Sequence, residues 1–177
     1  QDDFYLKAGQ RLILNRRFQE ANQILQQINP NQLPHQQNIL YEIACIKISL
    51  ANKQLNKALQ QLNQLASQAT TQQPLTSQQY ILIDNLYAKA FFMNNNILAA
   101  LSYQQKSIQL QQNPQRHASL NTLWLKLLNT PITQLEHASQ IATSPTNKAW
   151  LQLALLALSS NDNTQNFLSG LYQWHQQ

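Results

Sequence analysis

The side chains that could carry acid–base chemistry are few, and they lie far apart along the chain. Only Glu136 has a histidine beside it, His137, and consecutive residues of a helix point about 100° apart, so the two do not face one another. General acid–base and nucleophilic catalysis need paired groups within one pocket. The sequence therefore predicts a protein that is not an enzyme. The acidic residues are Asp2, Asp3, Glu20, Glu42, Asp84, Glu136 and Asp162.

Metal, cofactor and thiol motifs are also missing from the sequence. The four histidines show no HxxxH or HExxH spacing, and Gly9 and Gly170 are isolated, so no glycine-rich loop is present to hold a phosphate. We interpret the single cysteine, Cys45, as a small buried apolar residue, and it cannot form a disulfide within the chain. We expect neither a metal nor a cofactor. The histidines are His35, His117, His137 and His175.

The composition is typical of an all-helical protein. Two glycines and few β-branched runs accompany abundant leucine, alanine and glutamine. The glutamine and asparagine content suggests low complexity, but 43% apolar residues at regular spacing favour a folded domain. The net charge of +5 reflects seven acids as much as twelve bases, and nucleic-acid binders have a denser basic stripe. We therefore expect no nucleic-acid partner.

Turn signals divide the chain into about ten helices. Proline disfavours helix in the residue before it, so the segments 29–34, 70–77 and 112–115 separate helices. Thr130 before Pro131 and Ser144 before Pro145 predict an N-cap followed by the first helical residue. The predicted helices are 3–14, 18–28, 36–51, 55–69, 77–93, 97–112, 116–128, 132–141, 145–160 and 164–176.

An internal repeat runs through these helices. The stretch NRRFQEANQIL at 15–25 returns as NKQLNKALQQL at 52–62, and Ala21, Ala58 and Ala100 mark the second helix of three successive units. Helical hairpins repeat in sequence because each must bury its apolar face against the next. The small alanine lets the second helix approach the first closely. Asn52 and Asn94 end first helices, where asparagine tolerates a left-handed turn.

The repeat resembles the tetratricopeptide repeat, whose unit is 34 residues long. The second unit has Ile46 where a small residue is expected, and the third has Gln104 where an apolar one is expected. The resemblance covers residues 3–112 and implies an all-α, right-handed solenoid of helical hairpins. The first unit matches best, at Tyr5, Ala8, Gly9, Leu12, Ala21, Leu25, Ile28 and Pro30.

The tryptophan segments carry a second resemblance, to the amino-terminal domain of the LpoA family of outer-membrane lipoproteins that activate class A penicillin-binding proteins. Elements of that domain resemble Tyr5-Leu6, Asn121 with Trp124, Trp150-Leu151 and the Trp174 helix. The resemblance implies one helical-repeat domain, 1–177, with irregular hairpins at 116–176, excised from a longer lipoprotein. The tryptophans themselves are expected to anchor helices.

The LpoA resemblance also implies a function. The chain would be the periplasmic module of a non-catalytic regulator of peptidoglycan synthesis, cell wall biogenesis and cell shape. By this resemblance, a lipid outside this chain would anchor the protein to the inner leaflet of the outer membrane. Separately, the longest apolar run, 149–158, is too short to span a bilayer. The partner would be a class A penicillin-binding protein, docking mainly on a missing carboxy-terminal domain, with peptidoglycan a second possible partner.

Two surfaces are candidates for binding. Gln10, Lys47 and Lys89 fall at one repeat-equivalent position and predict a ladder along the concave face that could hold a carboxylate or an acidic peptide; the alternative is that the lysines only keep this face soluble. A basic cluster near the first two turns is interpreted as solvated helix-end charge rather than a site for anionic lipid or nucleic acid. The cluster comprises Arg11, Arg16, Arg17, Lys53 and Lys57.

Two other functions stay open at the level of sequence. A generic repeat scaffold, cytosolic or periplasmic, could bind a peptide in its groove. A glycan-processing enzyme or direct peptidoglycan binder is the alternative from another class. A lipoprotein signal in the precursor, a cytosolic start, or activity on isolated sacculi would separate the three.

Overall fold

The computed structural model describes residues 2–68 and 74–160, and every regular element within these ranges is helical. This confirms the all-α prediction, and the predicted helix at 164–176 lies outside the described residues. A single 3-10 turn, Pro30–Gln32, follows the second α-helix. The α-helices of the described residues are α1 (Asp2–Leu14), α2 (Phe18–Leu25), α3 (His35–Ala51), α4 (Leu55–Ser67), α5 (Ser77–Met93), α6 (Ile97–Leu110), α7 (Gln115–Leu128), α8 (Ile132–Ile141) and α9 (Pro145–Ser159).

The chain divides into two compact units, Gln1–Asn94 and Asn95–Gln177. In the first unit α1 packs on α2 and α3 on α4, while α1, α3 and α5 lie side by side. This is the arrangement of stacked helical hairpins, in which each hairpin buries the apolar face of the one before. One core cluster of the unit comprises Leu6, Ile13, Ala21, Leu25, Ile28, Ala44 and Ile48.

Small residues set the close approach of helices that the repeat predicts. Ala21, Ala58 and Ala100 are all fully buried. In the first hairpin, a Cβ atom added to Gly9 would lie 2.6 Å from Cδ2 and 2.8 Å from Cγ of Leu25. The backbone of α1 therefore lies against the Leu25 side chain of α2, and no side chain larger than hydrogen fits at residue 9 without movement.

In the second unit, α7 and α8 pack on α6, and α9 packs on α6, α7 and α8. Its core is built from fully buried leucines on each of its described helices, α6 to α9. Asn147 is also buried, and its Nδ2 donates to the hydroxyl of Ser102 at 3.1 Å. The hydroxyl of Ser144 caps α9 by accepting from the Asn147 backbone N–H, with Pro145 at the first helical position as the sequence predicts. The leucines are Leu101, Leu123, Leu127, Leu135 and Leu151.

The predicted helix limits differ from the structure where proline or glutamine changes the chain path. Helix α2 ends at Leu25, three residues earlier than predicted. Asn29, the residue before Pro30, is extended, and its side chain accepts a hydrogen bond from the Asn31 N–H. Helix α6 ends at Leu110, two residues early. Gln111 is extended there, and its buried amide donates to Ser107 at 2.9 Å.

Two details of the predicted turns and caps were wrong. The left-handed residues of the three tight turns are Arg16, Lys53 and Asn95, with φ of 59°, 58° and 56°. Asn52 and Asn94 are the C-caps before them and keep negative φ, because the left-handed position of such turns is the residue after the C-cap.

The second difference concerns the start of α8. Pro131 is itself the N-cap, with φ −54° and ψ 135°. The hydroxyl of Thr130 donates to the carbonyl of Lys126 at 2.8 Å, so Thr130 completes the end of α7 instead of capping α8.

Candidate ligand surface on the first helices

The structure places Gln10, Lys47 and Lys89 on three helices that lie side by side. Gln10 is on α1, Lys47 on α3 and Lys89 on α5, at positions that the repeat makes equivalent. Gln10 and Lys47 are half-buried, and Lys89 is exposed. We call the surface formed by this side of α1, α3 and α5 the first-helix face. That this face binds a protein stays a prediction.

The two lysines of the first-helix face repel one another. Burial lowers the pKa of the Lys47 ammonium, and the nearby positive charge of Lys89 lowers the pKa further. Within residues 2–68 and 74–160, neither lysine forms an ion pair. The face therefore holds two cations whose charge no acidic neighbour in the described structure balances.

Two other cations of the first unit, Lys7 and Arg17, have acidic neighbours within one helical turn. The Lys7 ammonium lies 2.6 Å from Oδ2 of Asp3, one helical turn earlier. Arg17 donates through two nitrogens to the Glu20 carboxylate. The hydrogen bonds of that pair raise the pKa of Arg17 and lower the pKa of Glu20. These charges are satisfied locally.

Exposed apolar side chains share the first-helix face with the lysines. Leu14 and Met93 lie one turn beyond Gln10 and Lys89, and they are 79% and 38% exposed. Leu40, 37% exposed, lies two turns before Lys47 on the same side of α3. The sequence prediction did not include these apolar residues. Leu14 and Met93 lie four residues after Gln10 and Lys89, and this helical spacing could have indicated them.

The basic cluster at the turns is exposed at all five positions, Arg11, Arg16, Arg17, Lys53 and Lys57. Arg17 is neutralised by Glu20, whereas Arg16 and Lys53 occupy the left-handed positions of their turns. These features are compatible with solvated charge at helix ends.

The single thiol lies in an apolar setting. Cys45 is half-buried and packs against the core cluster of the first unit. Burial raises its pKa, and burial together with the neighbouring Cys45 raises the pKa of Tyr41 to about 12. Both groups are therefore protonated at neutral pH, as expected of a cysteine that serves as an apolar residue.

Two tryptophans join α7 to α9 in the second unit. The rings of Trp124 and Trp150 are 6.4 Å apart between centroids and tilted by 50°. A shallow cleft of about 670 Å³ lies beside them, with His117 and Asn121 on its wall. The pair agrees with the expected anchoring role of these residues. Trp174 lies outside the described residues.

Side chains that could ligate a metal do not cluster within the described ranges. No group of three or more histidine, cysteine, aspartate or glutamate residues there is placed to hold a metal ion. Glu136 and His137 are both exposed on α8. None of the described helices has both the length and the apolarity needed to cross a membrane.

No protein-family model matches the chain, and no curated protein sequence matches it. Several solved structures do match the chain. The LpoA N-terminal domain from Haemophilus influenzae superposes with a TM-score of 0.76 at 18% identity, covering 99% of this chain and 76% of that domain. The E. coli LpoA amino-terminal domain gives 0.68 at 16% identity, with 99% and 75% covered.

Full-length LpoA from H. influenzae also superposes, with a TM-score of 0.76 at 17% identity. The similarity covers 99% of this chain and 31% of that one, so the chain spans about a third of the full-length protein's length. At sequence identity this low, the structural similarity shows the fold alone. The chain, all-helical and built from tetratricopeptide-like hairpins, has the fold of the LpoA amino-terminal domain.

Proposed function

We propose that this chain is a non-catalytic, regulatory module of peptidoglycan synthesis. It would form the periplasmic amino-terminal part of an outer-membrane lipoprotein that activates a class A penicillin-binding protein. The observation that supports the proposal is the similarity in fold to LpoA amino-terminal domains over 99% of the chain. The tryptophan segments of the sequence support it independently.

The surface chemistry of the described residues suits binding rather than catalysis. Acidic groups make structural contacts: Asp3 pairs with Lys7, Glu20 pairs with Arg17, and Oε1 of Glu42 accepts from the Gln68 amide at 3.0 Å. Stacked helical hairpins present long faces to partners, and function in repeat proteins lies in those faces. We therefore propose that the module acts by contact with other proteins.

The anchor and the docking domain can be tested by the intact mass of the full-length protein, extracted from the membranes of its own cells. We expect a triacylated amino-terminal cysteine and a large extension beyond residue 177. An unacylated protein ending near residue 177 would contradict the proposal, because it would have neither the anchor nor the domain that docks on the synthase.

A free-standing scaffold that binds a peptide is the second candidate. The observation that favours it is the first-helix face, where Lys47 and Lys89 lie close to exposed apolar side chains. A direct peptidoglycan binder is a third. Co-sedimentation with isolated sacculi distinguishes it, because a glycan binder would pellet with them in the absence of any synthase.

A further inference from the structure

We propose that the first-helix face is a binding site for an acidic peptide segment of a partner protein. The ammonium groups of Lys47 and Lys89 would receive two carboxylates, and Leu14 and Met93 would contact apolar side chains of the same segment. The inference goes beyond the proposed function, since it concerns this chain alone and needs neither a synthase nor a lipid anchor.

The first step of the argument is the unbalanced charge. Lys47 and Lys89 are close enough to repel each other, and within the described residues no acid neutralises them. Other cations without an ion pair in this unit, such as Arg16 and Lys53, are exposed in turns, whereas Lys47 is half-buried beside the helix that carries Lys89. A pair of like charges held together on neighbouring helices is the arrangement that an incoming anion stabilises.

The second step is the geometry of the face. Neighbouring packed helices are roughly 8–10 Å apart. An extended peptide advances about 3.3 Å per residue, so acidic residues about three apart reach lysines on adjacent helices. Gln10, on α1 beside α3, offers an amide that can donate to or accept from the peptide backbone.

The third step separates a peptide from a simple polyanion. The face presents two ammonium groups, those of Lys47 and Lys89, which a segment with a few carboxylates can match. Leu14 and Met93, one turn beyond the ladder, would have no partner in a phosphate polymer. A segment that mixes acidic and apolar residues satisfies both features.

The test measures binding of a short fluorescein-labelled peptide, in which glutamate, leucine and serine alternate, to the 177-residue chain by fluorescence anisotropy. Replacing Lys47→Ala and Lys89→Ala together should weaken the affinity by about tenfold or more. The matched control, Lys53→Ala with Lys57→Ala, removes the same charge elsewhere and should change the affinity by less than about twofold.

The apolar contacts are tested by Leu14→Ser, which should weaken binding by roughly threefold. Its control is Leu125→Ser in the second unit, because Leu125 is also exposed, at 53%. Circular dichroism checks the fold of each variant, and Lys47→Gln with Lys89→Gln replaces the alanine pair if that pair does not fold. Glutamine keeps part of the stem and removes the charge.

Three results would overturn the inference. The wild-type chain could fail to bind the peptide at low ionic strength, or the control pair could weaken binding as much as the lysine pair does. Binding to phosphatidylglycerol vesicles that depends on Lys47 and Lys89, without peptide binding, would assign the face to a lipid surface. None of these results bears on acylation or on synthase activation, so the proposed function would fail or stand separately.

Discussion

Two cations of the first hairpin, Lys7 and Arg17, and the two lysines of the next first helices, Lys47 and Lys89, have opposite environments. Lys7 and Arg17 each lie beside an acid within one helical turn. The positive charge of Lys89 on α5 acts on Lys47 on α3, and neither lysine forms an ion pair among the described residues. The difference indicates that Lys7 and Arg17 are balanced within the first hairpin, whereas the lysine pair is balanced by solvent or by an anion from outside.

The largest effect on stability should come from packing in the first hairpin, because its exposed ion pairs contribute little. Gly9→Ala places a Cβ atom within 2.6 Å of the Leu25 side chain. Overpacking costs about 1–3 kcal/mol and alanine recovers about 1 kcal/mol of helix propensity, so we expect a net loss of up to about 2 kcal/mol in urea unfolding.

A suppressor sharpens the Gly9 prediction. Leu25→Val shortens the side chain that the new methyl group meets. The double variant should therefore lose less stability than the sum of the two single variants. Strict additivity would show that Gly9 and Leu25 do not limit the approach of α1 to α2.

The next effect concerns the turn of the second hairpin. Lys53 has φ 58°, a conformation that costs a residue with a Cβ atom about 1–2 kcal/mol. Lys53→Gly should therefore raise the free energy of unfolding by about 0.5–1 kcal/mol, after the entropy cost of glycine. Asn52→Gly is the control, because Asn52 has φ −84° and gains nothing from glycine. Equal gains at both positions would exclude relief of strain as the cause.

A smaller effect on stability tests the difference between the environments of Lys47 and Lys7 directly. Lys47→Met keeps the apolar stem and removes a partly desolvated cation that Lys89 repels. We expect the free energy of unfolding to rise by up to about 0.5 kcal/mol. Lys7→Met, which removes a neutralised cation, should give no such rise. A loss of stability in Lys47→Met would mean that the ammonium has a favourable partner.

The pH dependence of stability in Lys47→Met gives a second measure of the environment of Lys47. Because the folded chain lowers the pKa of Lys47 below its ordinary value of 10.5, the unfolded chain binds this proton more tightly. The stability contribution of wild-type Lys47 therefore rises with pH between the lowered pKa and 10.5. The advantage of Lys47→Met should be full at neutral pH and shrink across that window in urea titrations.

The smallest effect should come from the exposed ion pair of the first hairpin. Arg17→Ala should leave the thermal midpoint unchanged within error, since solvent screens the charges. The pKa of Glu20, measured by NMR, should rise towards 4.5, because the hydrogen bond from Arg17 holds it lower. The contribution of the pair to stability is present above that ordinary value and is lost as pH falls through the lowered folded pKa. An unchanged Glu20 pKa would contradict the pairing.

The periodicity of the sequence was enough to predict most of the helices. Both limits of α5 and of α8 agree with the prediction, because Thr76 with Gln79 caps α5 and proline precedes α8. The early end of α2 could not be read from apolar spacing. Ile28 keeps the helical spacing and is buried, although the chain has already left the helix.

The candidate site was predictable only in part. The repeat aligned Gln10, Lys47 and Lys89, because residues at equivalent positions of stacked hairpins share a face. The sequence could not show that Lys47 would be half-buried or that Leu14 and Met93 would be exposed. Those properties depend on how closely α1, α3 and α5 pack, which side-chain volumes in the core decide.

The most direct test of the proposed function is the rate of glycan-chain synthesis by the class A penicillin-binding protein of the same cells, with and without the full-length protein. We predict that the full-length protein binds the synthase and raises this rate. The 177-residue chain alone should produce no glycan chains and cleave none. Absence of binding together with an unchanged rate would contradict the proposal that the chain belongs to a synthase activator.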